Sequence, residues 1–150
     1  MARGGERRLR GAGRGGRVSC SAIAGQLGSW VVVVEPDFGD KGSDHEILGA
    51  LSAKGRALNV YSGVNSHSIE YFVRSRRLTL LQFREMGEEP FDRQGDRPNL
   101  LDDLVEDFSG KGATDFQAFA LALAEQMTGV RLSHEWLFDK HRWLHWDSYD

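Results

Sequence analysis

A run of five residues, Trp30-Val31-Val32-Val33-Val34, constrains this chain more than any other stretch. Four consecutive β-branched side chains are stiff about χ1 in a helix and fit a pleated surface well, so the run predicts a strand. It is far shorter than the roughly 20 apolar residues of a membrane span. Its lack of polar alternation predicts burial on both faces, which puts it at the centre of a sheet. Pro36 and Gly39 predict its end, since proline cannot donate to a ladder.

The remaining elements follow from spacing. Val18 to Ala24 predicts a first strand, with Gly25 to Gly28 as turn material. Ser43 and Glu46 have the form of a capping box ahead of a short helix carrying Ile47, Leu48 and Leu51, with Gly55 to stop it. Three strand-like runs come next, Ala57 to Tyr61, Ile69 to Arg74 and Leu78 to Phe83. Their short links, Gly63 to Ser66 and Ser75-Arg76, predict antiparallel hairpins. Arg84 to Arg97 is polar and interrupted by Gly87, Pro90 and Gly95, which predicts a long loop. Pro98 is placed to open a helix bearing Leu100, Leu101, Leu104, Val105 and Phe108. Thr114 and Gln117 form a second capping box before a helix carrying Phe116, Phe119, Ala120, Leu123 and Met127, stopped at Gly129. Ser133 caps one further helical turn, and Phe138 to Asp150 predicts a tryptophan-rich tail. The expected fold is α+β, a mainly antiparallel sheet of about five strands with helices packed on one face.

Charge divides the chain in two. Residues 1–17 hold six arginines (Arg3, Arg7, Arg8, Arg10, Arg14, Arg17) and one acid, Glu6, for +5. Of the chain's 19 basic and 22 acidic residues, the other 133 positions carry 13 and 21, for −8. Residues 1–17 have almost nothing to bury and predict a disordered Arg/Gly tail, leaving residues 18–150 as one domain. An acidic body argues against a nucleic-acid footprint there, so any affinity for polyanions belongs to the tail. Arg14-Gly15-Gly16-Arg17 resembles RNA-binding Arg-Gly-Gly segments but lacks their aromatics. Arg, Gly and Ala are also what GC-rich upstream DNA encodes when read through, so a passive tail is the first reading. The lone Cys20 excludes an internal disulfide and predicts a reducing cytosol; no secretory signal or membrane segment is visible.

Candidate chemistry is sparse. His141 and His145 are four residues apart beside Asp139 and Asp147. On a helix both imidazoles would share one face, as a divalent metal requires. Trp143 and Trp146 point instead to packing or to a binding surface, and no metal or cofactor is expected. Asp44-His45-Glu46 is what capping and the helix dipole predict at a helix start. Glu35, at the end of the strongest strand, is the one candidate general acid or base; its plainer role is to pair with Arg56 or a backbone amide. The aromatic cluster Trp136, Trp143, Trp146 and Tyr149 either seals a core edge or forms an interface.

Several ordered motifs resemble a family of uncharacterised actinobacterial proteins, a domain of unknown function. They are Trp30 to Pro36, Gly42-Ser43-Asp44 through Leu51-Ser52, Tyr61 with Val64-Asn65, Ala120 to Glu125 through Thr128-Gly129-Val130-Arg131-Leu132, and Glu135-Trp136-Leu137. Asp37-Phe38-Gly39 departs from the family's Asn-Gly turn. The Arg/Gly stretch stands where members have ordered sequence, so a truncated domain or a misplaced start is expected. The resemblance implies a bacterial protein and no particular activity.

The leading functional expectation is a non-enzymatic cytosolic interaction module, with immunity-type proteins as an analogy only. Its expected partner is a basic protein, held through the acidic body at residues such as Asp102 and Asp103, or at Trp143 and Trp146. The alternative is a small hydrolase or ligand-binding enzyme using Glu35 and polar residues near Asn65. A third is nucleic-acid contact through the arginines of the tail.

Overall fold

The computed structural model of the chain describes residues 17–35, 41–84, 89–110 and 115–149. In chain order the elements are β1 (Arg17–Leu27), β2 (Trp30–Val34), a 3-10 turn (Lys41–Ser43), α1 (His45–Leu51), β3 (Arg56–Ser62), β4 (His67–Val73), β5 (Arg76–Phe83) and β6 (Asp92–Gln94). They are followed by α2 (Asp102–Gly110), α3 (Phe116–Thr128), α4 (His134–Phe138) and β7 (Arg142–Tyr149). Every pairing is antiparallel, in two sheets of order β2-β1-β7 and β3-β4-β5-β6.

The α+β class with antiparallel pairing is the expected one. The strands, however, number seven among the described residues and are split between two sheets. One core lies between the four-stranded sheet and the long helices, where Ile69, Leu81 and Phe83 meet Leu101, Val105, Phe116, Phe119, Ala120 and Leu123. The last four recur at i, i+3, i+4 and i+7, the stripe by which a helix turns one face to a sheet. The opposite face of the same sheet carries α1: the His45 ring meets Phe72 edge-on at 5.1 Å, and Asn59 donates to Ser43 Oγ at 3.2 Å. Helices thus cover both faces rather than one, because β4 alternates apolar residues to each side.

Three other expectations change. β2 is an edge strand, not the centre: Val31 and Val33 are 72% and 50% exposed, while Trp30, Val32 and Val34 are half-buried. An apolar run says that a strand forms but not which neighbour it gains, and here β1 takes the middle place. The aromatic tail is a strand as well, its residues 142–149 pairing with β1 from Ala24 back to Arg17. Inside the expected loop, Asp92–Gln94 pairs with β5 as a short edge strand.

Caps shift by one residue. Asp44, not Ser43, caps α1, accepting from the Glu46 and Ile47 amides at 2.8 and 3.4 Å, while the Ser43 hydroxyl receives Asn59. Asp115 caps α3 through the Gln117 amide at 2.9 Å; Thr114 lies outside the described residues. Gly129 ends α3 at φ 72°, the left-handed conformation a glycine stop supplies. Ser133 caps α4 as expected, accepting from the Trp136 amide at 3.2 Å. The tail before Arg17 and the Asp37-Phe38-Gly39 departure also fall outside the described residues.

Candidate functional site

A row of polar side chains lies under α1 on the face of the four-stranded sheet. Register places Asn59 of β3 directly opposite Glu70 of β4, so both side chains emerge on the side that carries Phe72. Glu70 is 6% exposed. The nearest cationic group is Arg77 of β5, whose Nη1 lies 3.7 Å from Glu70 Oε2 and whose Nη2 donates to Gln94 Oε1 at 3.0 Å. Asn59, directly across the ladder, and His45 at the start of α1 also favour its ionised form. Burial pushes the Glu70 carboxyl above the usual carboxylate range, and Arg77, His45 and Asn59 pull it back only in part.

The row continues to the end of β2. Asn59 donates to Ser43 Oγ, and the neighbouring Gly42 amide donates to Glu35 Oε1 at 3.0 Å. Glu35 therefore binds a backbone amide, one of the two plain roles expected for it. Arg56 is used elsewhere, with its guanidinium 5.4 Å from the centre of the Trp30 ring. The polar neighbour in this region is Asn59, not Asn65, which is exposed in the turn after β3.

Glu70 and Asn59 were not singled out from sequence. The signal was available: a charged residue inside Ile69-Glu70-Tyr71-Phe72 shares its face with Phe72 by simple alternation. A buried carboxylate in such a strand is a functional-site candidate, since natural cores rarely hold one without reason.

A second region is the three-stranded sheet. One of its faces carries Val31 and Val33 of β2, Ala22 and Ala24 of β1, and Leu144 and Trp146 of β7. Val31, Val33 and Leu144 are exposed there, whereas Ala22 is buried. The Trp146 Nε1 is enclosed and has no hydrogen-bond partner among the described residues. Trp143 points to the other face, 57% exposed, with its ring stacked beside that of His145. The two sequence-predicted tryptophans therefore belong to opposite sides of one strand.

The histidine pair loses its helical geometry. His145 is within β7 and His141 just ahead of it, so four residues of extended chain separate them by about 13 Å. His141 bonds through Nε2 to the Trp136 carbonyl and packs on the Trp136 ring at 4.0 Å. No group of three or more His, Cys, Asp or Glu side chains among the described residues is arranged to hold a metal ion.

The two acids proposed for a partner divide similarly. Asp102 is joined to Arg93, tying the first turn of α2 to β6, and Asp103 is exposed. No helix among the described residues is long and apolar enough to cross a membrane. Neither the curated proteins nor the solved structures contain a match to this chain. One family model does match, over residues 14–142, and the chain accordingly belongs to the family of unknown function DUF6461.

Proposed function

We propose that this chain is a non-enzymatic protein-interaction module of the bacterial cytosol whose contact surface is the three-stranded sheet. The observation that carries the reading is the edge strand β2. Edge strands are ordinarily guarded by charge, proline or a covering element, because their free amides and carbonyls invite another strand. Trp30–Val34 contains no charged residue and no proline, nothing pairs with its outer side among the described residues, and Val31 and Val33 are exposed. Such an edge accepts an extended segment by strand addition, with backbone hydrogen bonds supplying affinity and alternate side chains supplying selectivity. The −8 charge of residues 18–150 favours a basic partner and speeds its encounter.

The test is capture of partners from a lysate treated with nuclease, comparing the wild type with Val33→Lys and with Asp103→Lys. Val33→Lys guards the edge and should abolish specific capture. Asp103→Lys should weaken capture modestly and reduce its salt sensitivity. Capture that survives Val33→Lys and is seen only when the nuclease is omitted moves the activity to the arginines of residues 1–17.

A second reading, a small-ligand enzyme, draws on one observation, the buried Glu70 with Asn59 and Ser43 beside it. It moves the acid from Glu35, occupied by a backbone amide, to Glu70. Glu70→Gln separates the readings, because partner capture through β2 does not involve that carboxyl.

A further inference from the structure

We infer that α1 is a lid over a buried carboxylate, and that its closure on the four-stranded sheet is controlled by the protonation of Glu70.

The lid is lightly held at one end and pinned at the other. Leu48 is its one buried side chain, whereas Ile47 and Leu51 are 38% and 68% exposed. At the C-terminal end Ser75 donates from its amide to Ser52 Oγ at 3.1 Å and from its hydroxyl to the Gly49 carbonyl at 2.8 Å. Ser52 is fully buried, so this end acts as the hinge. At the N-terminal end the attachments are the Asn59 to Ser43 bond, the Gly42 to Glu35 bond and the edge contact of His45 with Phe72. Those attachments surround Glu70. An element with few buried contacts opens at low cost, and this one opens first where the carboxyl lies.

The groups facing Glu70 decide the direction. Arg77 approaches from β5, but at 3.7 Å, beyond the roughly 2.7–2.9 Å of a charge-assisted bond. It is shared with Gln94 of β6. From β3 comes the neutral amide of Asn59, and from α1 the imidazole of His45, flanked by exposed Asp44 and Glu46. Glu35, at the end of β2, is one residue beyond Asn59 in the row and is held by Gly42. A protonated Glu70 is neutral and sits under the closed lid without cost. Ionised, it is a buried charge whose ion pair with Arg77 offsets its desolvation only in part, and lifting α1 returns it to water. Rising pH therefore favours opening, and acid favours closure.

Native-state hydrogen exchange on the full chain tests this. The reporter is the Gly42 amide, bonded to Glu35 Oε1 at the end that lifts, while the Ser52 amide at the hinge, bonded to the Leu48 carbonyl, should stay protected. After correction for intrinsic exchange, the opening constant read at Gly42 should rise between pH 4 and 8 by up to tenfold per pH unit. It should level off once the closed-state carboxyl is ionised. Glu70→Gln should remove the slope and leave α1 more protected than wild type at pH 8, with the Leu123 amide of α3 as an internal control. His45→Gln should keep a slope, which assigns it to the carboxyl. Arg77→Gln, which removes the cation, should open α1 further than wild type at pH 8. A flat wild-type profile, or an equal slope in Glu70→Gln, overturns the inference. If the Gln variant does not fold, the Arg77→Gln arm decides, and equal opening to wild type at pH 8 overturns it.

Discussion

The indole N–H of Trp136 donates to the backbone carbonyl of Gln26 at 3.2 Å, joining residues 110 positions apart. α4 is thereby fixed to the strand at the middle of the three-stranded sheet, just before the chain returns as β7 along that strand's other side. The ring is 9% exposed and packs against His141 at 4.0 Å, so its removal costs both a hydrogen bond and packing. Trp136→Phe keeps an aromatic ring but leaves the Gln26 carbonyl without this donor. The expected loss is about 1–3 kcal/mol, which lowers Tm by several degrees in a thermal melt followed by circular dichroism. An unchanged Tm would show that α4 is not packed on β1 in solution.

Gly25 reports on the same contact from the other side. A Cβ built there would lie 2.5 Å from His141 Nδ1 and 2.9 Å from Trp136 Cζ2, closer than real side chains approach. Each ring holds the other in place, so neither yields freely. Gly25→Ala should cost about 1–3 kcal/mol as overpacking. The double variant with His141→Ala should recover part of that loss, giving a favourable coupling energy in a mutant cycle. Strict additivity of the two substitutions would place His141 away from Gly25.

The buried carboxyl makes a prediction for global stability. Glu70 titrates above its ordinary range in the folded chain, so folding favours its protonated form. That contribution is fully present below the unfolded-state value of about 4 and is lost as pH rises through the folded value. Glu70→Gln carries no such loss. Urea titrations should find the two proteins closest in stability near pH 4, with the Gln variant gaining on wild type towards neutral pH. A constant difference across that range contradicts the assignment.

The hairpin between β4 and β5 turns on Arg74 and Ser75 at φ 50° and 64°. This two-residue geometry favours glycine or asparagine, and neither is present. What holds it is tertiary: the Arg74 amide donates to the Gly55 carbonyl at 3.0 Å, and Ser75 is fastened to α1. Arg74 is exposed, so Arg74→Asn keeps the backbone bond and eases the left-handed conformation. It should stabilise the fold by about 1 kcal/mol, seen as a higher Tm. A lower Tm would mean that the arginine side chain contributes a contact of its own.

These elements show how much the sequence discloses. Period and capping located α3 well, because Phe116, Phe119, Ala120 and Leu123 each meet the sheet and Gly129 ends the helix. The two hairpins of the four-stranded sheet were legible for the same reason: their partners are neighbours in sequence. Arg142–Tyr149 was not, because a strand that pairs with β1 across the whole chain leaves no local turn to betray it. Trp30–Val34 was recognised as a strand but misplaced, since hydrophobicity measures preference for burial and not the supply of neighbours. The candidate site followed suit. Glu35 stands visibly beside Pro36, while alternation puts Glu70 on the face of Phe72 without saying that this face is covered, and its burial emerges only from the fold.

The placement of β2 at an edge leads to a contrast between adjacent valines. Val33 points to the open face and is 50% exposed, whereas Val32 is half-buried on the face that also carries Trp30. Threonine is close to valine in shape and suits a strand, so the substitution isolates the cost of burying a hydroxyl. At Val33 the hydroxyl reaches water, and Tm should stay within the change expected of about 0.5 kcal/mol. At Val32 the hydroxyl enters a partly apolar setting, and Val32→Thr should cost about 1–2 kcal/mol. Val33→Lys should match Val33→Thr in stability and also lower any tendency to self-associate at high concentration, as measured by sedimentation, because a charge on an open edge discourages strand addition. Were β2 central and covered on both sides, both threonine variants would be destabilised alike and Val33→Lys would be the most damaging of the three.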